Sequence, residues 1–217
     1  MKKNYFAVTN LIFTYDLDAV AIAIYVFLIF NSFRRWNYPL VNCKKLSEEL
    51  HASEEVISKR IRTLVSKKLI EVDEDYLFVR RKMVNRPWGF WLLPKIENFK
   101  NTFLLPNELF TLNLCAGEIA VYAYLRSCED RDTYQCYPGY KTIGDATGMS
   151  RGTVKKYVDS LVDKHLIYTE PTSVWGKGGK KRNGNLLYTI RPIADAVAFC
   201  VESGFGNLTK RGFSEAK

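Results

Sequence analysis

The stretch WGKGGKKRNGN, Trp175 to Asn185, sets four glycines among three lysines and an arginine. Glycines beside a lysine can wrap a nucleotide phosphate, because backbone N–H groups and an ammonium then converge on one anion. That chemistry needs a second glycine five positions after the first, then Lys-Ser or Lys-Thr, between a strand and a helix. Counted from Gly176, the required glycine is Lys181, no Gly-Lys-Ser or Gly-Lys-Thr follows, and the next segment reads as a strand. A basic finger is the remaining reading. His51 and His165 are the two histidines, and no Ser/His/Asp set or paired-carboxylate site is suggested around them. Cys43, Cys115, Cys128, Cys136 and Cys200 match neither a disulfide scaffold nor a zinc pattern, and no His completes a metal set with Cys128 and Cys136. The sequence therefore predicts no enzyme, no cofactor, no metal and no small-molecule substrate.

The elements that carry the finger belong to a basic chain of 217 residues, with net charge +9 and pI about 9.2. Such an excess favours an anionic partner, nucleic acid first. Apolar residues make up 47% and charged ones 25%, a composition that can bury a core. LDAVAIAIYVFLIF, Leu17 to Phe30, is membrane-like in content but falls short of the roughly 20 residues a span needs, so it reads as a buried helix. The same stretch lies too far from Met1, and lacks the small-residue cleavage site, to be a signal peptide; with reduced thiols, the expectation is a cytoplasmic protein with no membrane partner.

Sliding the chain against itself by 97 residues exposes a repeat. NYFAVTNLIFTYDL (Asn4 to Leu17) falls on NTFLLPNELFTLNL (Asn101 to Leu114), AIAIYVFL on EIAVYAYL, and ISKRIRTLVSKKLI on VKKYVDSLVDKHLI. Roughly 20 of about 67 aligned positions are identical without a gap, and a period of this length suits a whole small domain. The expected domains are 1–97 and 98–191, with a C-terminal helix and tail over 192–217.

In the second unit, Glu118 to Leu125 carries helix-spaced apolar residues, and Tyr140 to Gly148 reads as a short helix ending at a left-handed glycine. Ser150 caps a third helix whose stripe is Val154, Val158, Leu161 and Val162. LIYTEPTSV and NLLYTIR read as strands flanking the basic finger. Three helices and a hairpin make a winged helix-turn-helix with the finger as wing tip. The first unit repeats the plan, with Ser53 as cap and Ile57, Ile61, Leu64 and Val65 as stripe. Its hairpin leaves two options: a tight turn at VDEDY, or longer strands with RRKMVNRP at the tip, which the repeat register favours. The fold class expected is mainly α with small β-hairpins (α+β), as two tandem winged helix-turn-helix domains.

The run CEDRDTYQCYPGYKTIGDATGMSRGTVKKYVDSLVDKHLI resembles the helix-turn-helix proteins of bacterial plasmids, phages and conjugative elements. FLLPNELF followed by AGEIAVYAYL resembles the start of the replication initiator A amino-terminal family. The resemblance covers most of 101–191 and, more weakly, 4–94. It implies a winged-helix DNA-binding fold in a transcriptional regulator or replication initiator, associated with the nucleoid or a plasmid.

In that fold the exposed start of the third helix enters the major groove and the preceding helix crosses the backbone. Ser150, Arg151, Thr153, Lys155 and Lys156 are then the groove residues, with Arg151 placed for a guanine. Tyr140, Lys141 and Thr142 read as phosphate clamps, and Lys177, Lys180, Lys181 and Arg182 as wing cations. In the first unit, Glu54 and Glu55 replace Arg151 and Gly152, while Lys59, Arg60 and Arg62 stay on the helix; its wing carries Arg80, Arg81, Lys82 and Arg86. Trp88, Phe90 and Trp91 read as core or interface aromatics. The expected partner is double-stranded DNA. The alternative is a winged-helix module that binds protein, its basic faces incidental. A homodimer and a monomer both fit, since a tandem repeat already supplies two readers.

Overall fold

The structure is a computed structural model that describes residues 4–34, 40–72, 88–92, 101–175 and 181–204. It is a mixed α/β molecule, with seven α-helices and three small antiparallel sheets among the described residues. The first half runs β1 (Tyr5–Thr9), a 3-10 turn (Asn10–Thr14), α1 (Ala19–Arg34), β2 (Leu40–Val41), α2 (Cys43–Leu50), α3 (Glu54–Ser66), β3 (Ile70–Val72) and β4 (Trp88–Leu92). The second runs β5 (Thr102–Pro106), a 3-10 turn (Asn107–Thr111), α4 (Ala116–Cys128), β6 (Gln135–Cys136), α5 (Tyr140–Thr147), α6 (Arg151–Asp163), β7 (Ile167–Trp175) and β8 (Lys181–Ile190). α7 (Ile193–Ser203) follows.

The starts of β1 and β5, α1 and α4, α2 and α5, α3 and α6, and β3 and β7 are each 97 positions apart. So are three pairs of residues with left-handed backbone: Asp16 and Asn113, His51 and Gly148, Lys68 and His165. Each pair marks a chain reversal next to a helix. A non-glycine residue there costs roughly 1 kcal/mol, so its recurrence at matched positions follows the backbone path and not the side chain.

α1 is apolar on every side, and Ala21 through Phe30 are all buried. A helix apolar all round must sit inside protein or lipid. At 16 residues it spans about 24 Å, short of a bilayer core, and no helix among the described residues is long and apolar enough to cross a membrane. It is the centre of the protein core, packed against α3 and α4.

The apolar stripes of α3 and α6 are shorter than their sequences suggest. Ile57, Ile61 and Leu64 are buried but Val65 is exposed; Val154, Val158 and Leu161 are buried and Val162 half-buried. At 100° per residue, a position eight after the first has rotated about 80° off the stripe, which takes Val65 to its edge.

β3 pairs with β4, Ile70 facing Leu92 and Val72 facing Phe90. This pairing is the one the longer hairpin needs; both expected turn positions run through residues 73–87, outside the described residues. The side chains of Trp88, Phe90 and Trp91 also lie outside what is described. In the second half Ile167 faces Ile190, one residue out of step with the first hairpin. β2 and β6 each add a third strand, giving the orders β2-β4-β3 and β6-β8-β7.

The two halves meet in an antiparallel ribbon. Phe6 faces Leu105, Ala7 faces Leu104 and Val8 faces Phe103. Beneath it Phe13 stacks on Phe103 with centroids 5.9 Å apart, and Phe6 stacks on Phe110 at 6.4 Å. Such pairs contribute roughly 0.5–1.5 kcal/mol each beyond area burial.

Candidate nucleic-acid interface

Side-chain caps fix the starts of α2, α3 and α6, whereas α5 begins after Gly139 without one. Asn42 Oδ1 accepts from the Lys45 amide at 2.8 Å and starts α2. Ser53 Oγ accepts from the Val56 amide at 3.4 Å and starts α3. Ser150 Oγ accepts from the Thr153 amide at 3.2 Å and starts α6. Ser150 Oγ also lies 2.8 Å from Thr153 Oγ1. The two hydroxyls proposed for the groove are thus already bonded to each other, and one proton of the pair stays available to a partner.

α5 ends at Gly148, with φ of 66°. A methyl group there would lie 2.9 Å from Asp18 Cα, so glycine is favoured by a conformation that His51 also adopts at the matched turn and is demanded by the close approach of the first half. The turn then delivers α6 with its outer face free. Arg151, Lys155 and Lys156 are exposed, as are Lys141 and Thr142 on α5. Lys155 lies 4.0 Å from Asp159, an exposed pair one turn apart that constrains it little. Lys156 sits 5.9 Å from the Tyr157 ring centroid. Gly152 has open space where a side chain would stand, so nothing among the described residues requires it. Tyr140 differs from its neighbours: its ring is half-buried against the core, and burial, with Asp159 nearby, raises its phenol above the usual range.

The wing departs from its sequence reading. β8 begins at Lys181, which pairs with Trp175, and Arg182 pairs with Val174. Lys181, Arg182 and Asn183 therefore belong to a strand, not to the tip. Gly184 is a strand residue too; a side chain there would overlap Thr172 Oγ1, which donates to Asn185 O at 2.5 Å beside the bulge between Pro171 and Ser173. Pro171 is tolerated because β7 is an edge strand. Arg182 is exposed. The Lys181 side chain, Lys177 and Lys180 lie outside the described residues, as do Arg80, Arg81, Lys82 and Arg86 of the first wing. Trp175 is 77% exposed at the end of β7, an aromatic surface that a count of charges passes over. Asn185 Nδ2 donates to Tyr137 O at 3.1 Å and ties the wing base to the loop before α5.

In the first half, Lys59 and Arg62 are exposed on α3. Arg60 is not part of that face: it forms an ion pair with Asp18 at the start of α1. Glu54 and Glu55 occupy the first turn of α3, whereas the first turn of α6 has no acid. The partial positive charge of a helix start is therefore offset by carboxylates in α3 and left open to an anion in α6.

A buried network that sequence reading missed fixes α6 on α4. Glu118 is 3% exposed and accepts from Lys164 Nζ, from Ser160 Oγ at 2.5 Å and from the Cys115 amide at 2.7 Å. Burial pushes its carboxyl up, but these bonds, Lys164 foremost, outweigh that and hold it below the usual range. The signal was present: a Glu three residues after a non-helical position, ahead of an apolar run, is half of a capping box. The ring of Tyr157 lies against Gly117, where a methyl group would overlap it.

No curated protein matches the chain. A family model does match part of it, over the segment whose geometry has just been described. Residues 112–167, from Leu112 ahead of α4 through α5 and α6 to the first residue of β7, match the family model of a helix-turn-helix domain.

Proposed function

We propose that the chain is a sequence-specific double-stranded DNA-binding protein made of two tandem winged helix-turn-helix units, 1–97 and 98–191. One observation carries the reading. Within the matched segment, Arg151, Lys155 and Lys156 are exposed together on the outward face of the helix that this motif inserts into the major groove. Lys141, Thr142 and Arg182 flank that face and take phosphates. Arg151 offers a guanidinium fork to guanine O6 and N7. The role is binding and not catalysis: a transcriptional regulator or replication initiator of a bacterial mobile element, acting in the cytoplasm. The helix-turn-helix match and the recurrence of the elements at 97 residues support this reading.

The test compares the wild-type chain with Arg151→Ala/Lys155→Ala/Lys156→Ala for retardation of duplex DNA at low salt. Binding by the wild type and its loss in a variant with an unchanged unfolding transition support the proposal. Equal binding by both removes α6 from the interface, and no binding by either favours a protein-binding role for the module.

A further inference from the structure

The contacts between the halves are reciprocal. Ala7 faces Leu104, the residue 97 positions on, so matched residues oppose each other at the middle of an antiparallel ribbon. Phe13 meets Tyr124 edge-on at 5.0 Å and 86°, and the matched pair, Phe110 and Phe27, meets at 5.0 Å and 88°. Phe13 on Phe103 is matched by Phe110 on Phe6. Asn10 Nδ2 donates to Asn101 Oδ1, and the Asn107 amide donates to Asn4 O. The two turns also reach across the seam, at neighbouring and not identical positions: His51 Nε2 lies 2.9 Å from Asn113 Oδ1, and Gly148 lies against Leu17 and Asp18, one and two residues past the counterpart of Asn113.

Contact of i with j and of the counterpart of j with the counterpart of i is the signature of a two-fold interface. Units strung along a chain by translation do not produce it. The halves are thus arranged like two subunits of a dimer, with the axis between Ala7 and Leu104. The turns that precede α3 and α6 are both pinned to this seam, so the axis also relates the two recognition helices, and both keep exposed charged faces, Glu54, Lys59 and Arg62 on α3 and Arg151 and Lys155 on α6.

We infer that a single chain reads an inverted pair of unlike half-sites on duplex DNA. This rests on the DNA-binding reading above. B-DNA has two-fold axes across its strands, so readers related by a two-fold meet half-sites in opposite orientation. The half-sites differ because the helix starts differ: α6 offers Arg151, which suits guanine, and α3 offers Glu54 and Glu55, which can accept from cytosine N4. The chain therefore binds its site in one direction only.

The experiment is selection of bound duplexes from a random pool by the full chain, then affinity measurement on the winner with one element inverted, and determination of chains per duplex. The inference expects two unlike elements in inverted orientation at fixed spacing, one chain per duplex, and at least a tenfold loss when one element is flipped. Arg151→Ala should relax a position in one element, and Glu54→Gln/Glu55→Gln a position in the other. Elements in direct orientation, a single element, or two chains per site overturn the inference while leaving DNA binding intact. Failure to bind any duplex at low salt overturns the DNA-binding reading itself.

Discussion

His51 Nε2 lies 2.9 Å from Asn113 Oδ1, so the turn between α2 and α3 is held by a residue just ahead of α4, the other half's central helix. Asn113 O also receives Lys164 Nζ at 3.4 Å, from the residue that ends α6. On the other side of the seam, Gly148 rests on Asp18, whose carboxylate pairs with Arg60 of α3. In each half the support of α3 or α6 is touched by the turn of the other half. A change at the seam therefore reaches both helices.

Phe110→Ala should destabilise the chain by about 3–5 kcal/mol, the usual cost of emptying a buried aromatic site. Its ring contacts Phe6, Phe27 and Phe30 and lies on the seam. Urea unfolding followed by circular dichroism measures this. A drop in stability below about 1 kcal/mol would mean that the seam closes over the gap.

Gly148→Ala should cost about 1–3 kcal/mol, from a left-handed backbone that alanine resists and from the methyl group pressed on Asp18. His51, its counterpart, has the same backbone sign with φ of 51°, so His51→Gly should relieve strain while losing the bond to Asn113. Thermal unfolding of the two variants should show the first clearly lowered and the second close to wild type.

Glu118 gives the stability a defined acid dependence. Its folded pKa lies below the ordinary carboxylate value of 4.5. The contribution is fully present above that value and is lost as pH falls through the lower folded value. Glu118→Gln keeps the shape and removes the charge, so it should lower stability at neutral pH by about 1–3 kcal/mol and flatten the decline below pH 4.5. Unfolding free energies at several pH values test this, and an unchanged acid limb would show that Glu118 is not the titrating group.

Arg151 and the flanking cations should separate by kind of effect. Arg151→Ala should cost roughly 1–3 kcal/mol on the preferred site and relax one base position. Lys141→Ala with Arg182→Ala should weaken all sequences alike and reduce the salt slope by about 0.9 for each phosphate no longer neutralised. Competition binding against single-base variants distinguishes the two patterns.

If the start of α3 faces DNA as proposed, Glu54→Gln/Glu55→Gln should raise affinity for non-specific duplex, because two carboxylates that repel phosphate are removed. Independently of any DNA contact, it should cost α3 a few tenths to about 1 kcal/mol of dipole stabilisation. If non-specific affinity is unmoved, α3 does not approach the backbone.

Much of the fold was legible in residue types and spacing. Ser53, Ser150 and Gly148 mark helix ends by chemistry that acts within three or four residues, and the caps fall where the sequence puts them. The buried helix Ala19–Arg34 was legible because an apolar run too short for a bilayer has only the core to occupy. What was not legible depends on residues far apart in the chain. Arg60 looks like one more recognition-helix cation until Asp18, 42 positions away, is placed beside it. Lys181 and Arg182 look like loop residues because glycines surround them; the partners Trp175 and Val174 extend the strand past that local preference. The seam left only an indirect trace, a repeat of aromatic and asparagine positions, since sequence similarity is the same for units related by translation and by rotation.

The proposed binding of duplex DNA would rest on cations that neutralise phosphates and on Arg151 in the groove. The decisive measurement is fluorescence anisotropy of a labelled duplex from the selected pool, titrated with the full chain between about 50 and 200 mM salt. Binding is expected at the low end, with a log–log fall of affinity with salt whose slope corresponds to several phosphates, about −0.9 for each. A chain that stays folded and does not bind at the lowest salt would refute the DNA-binding role.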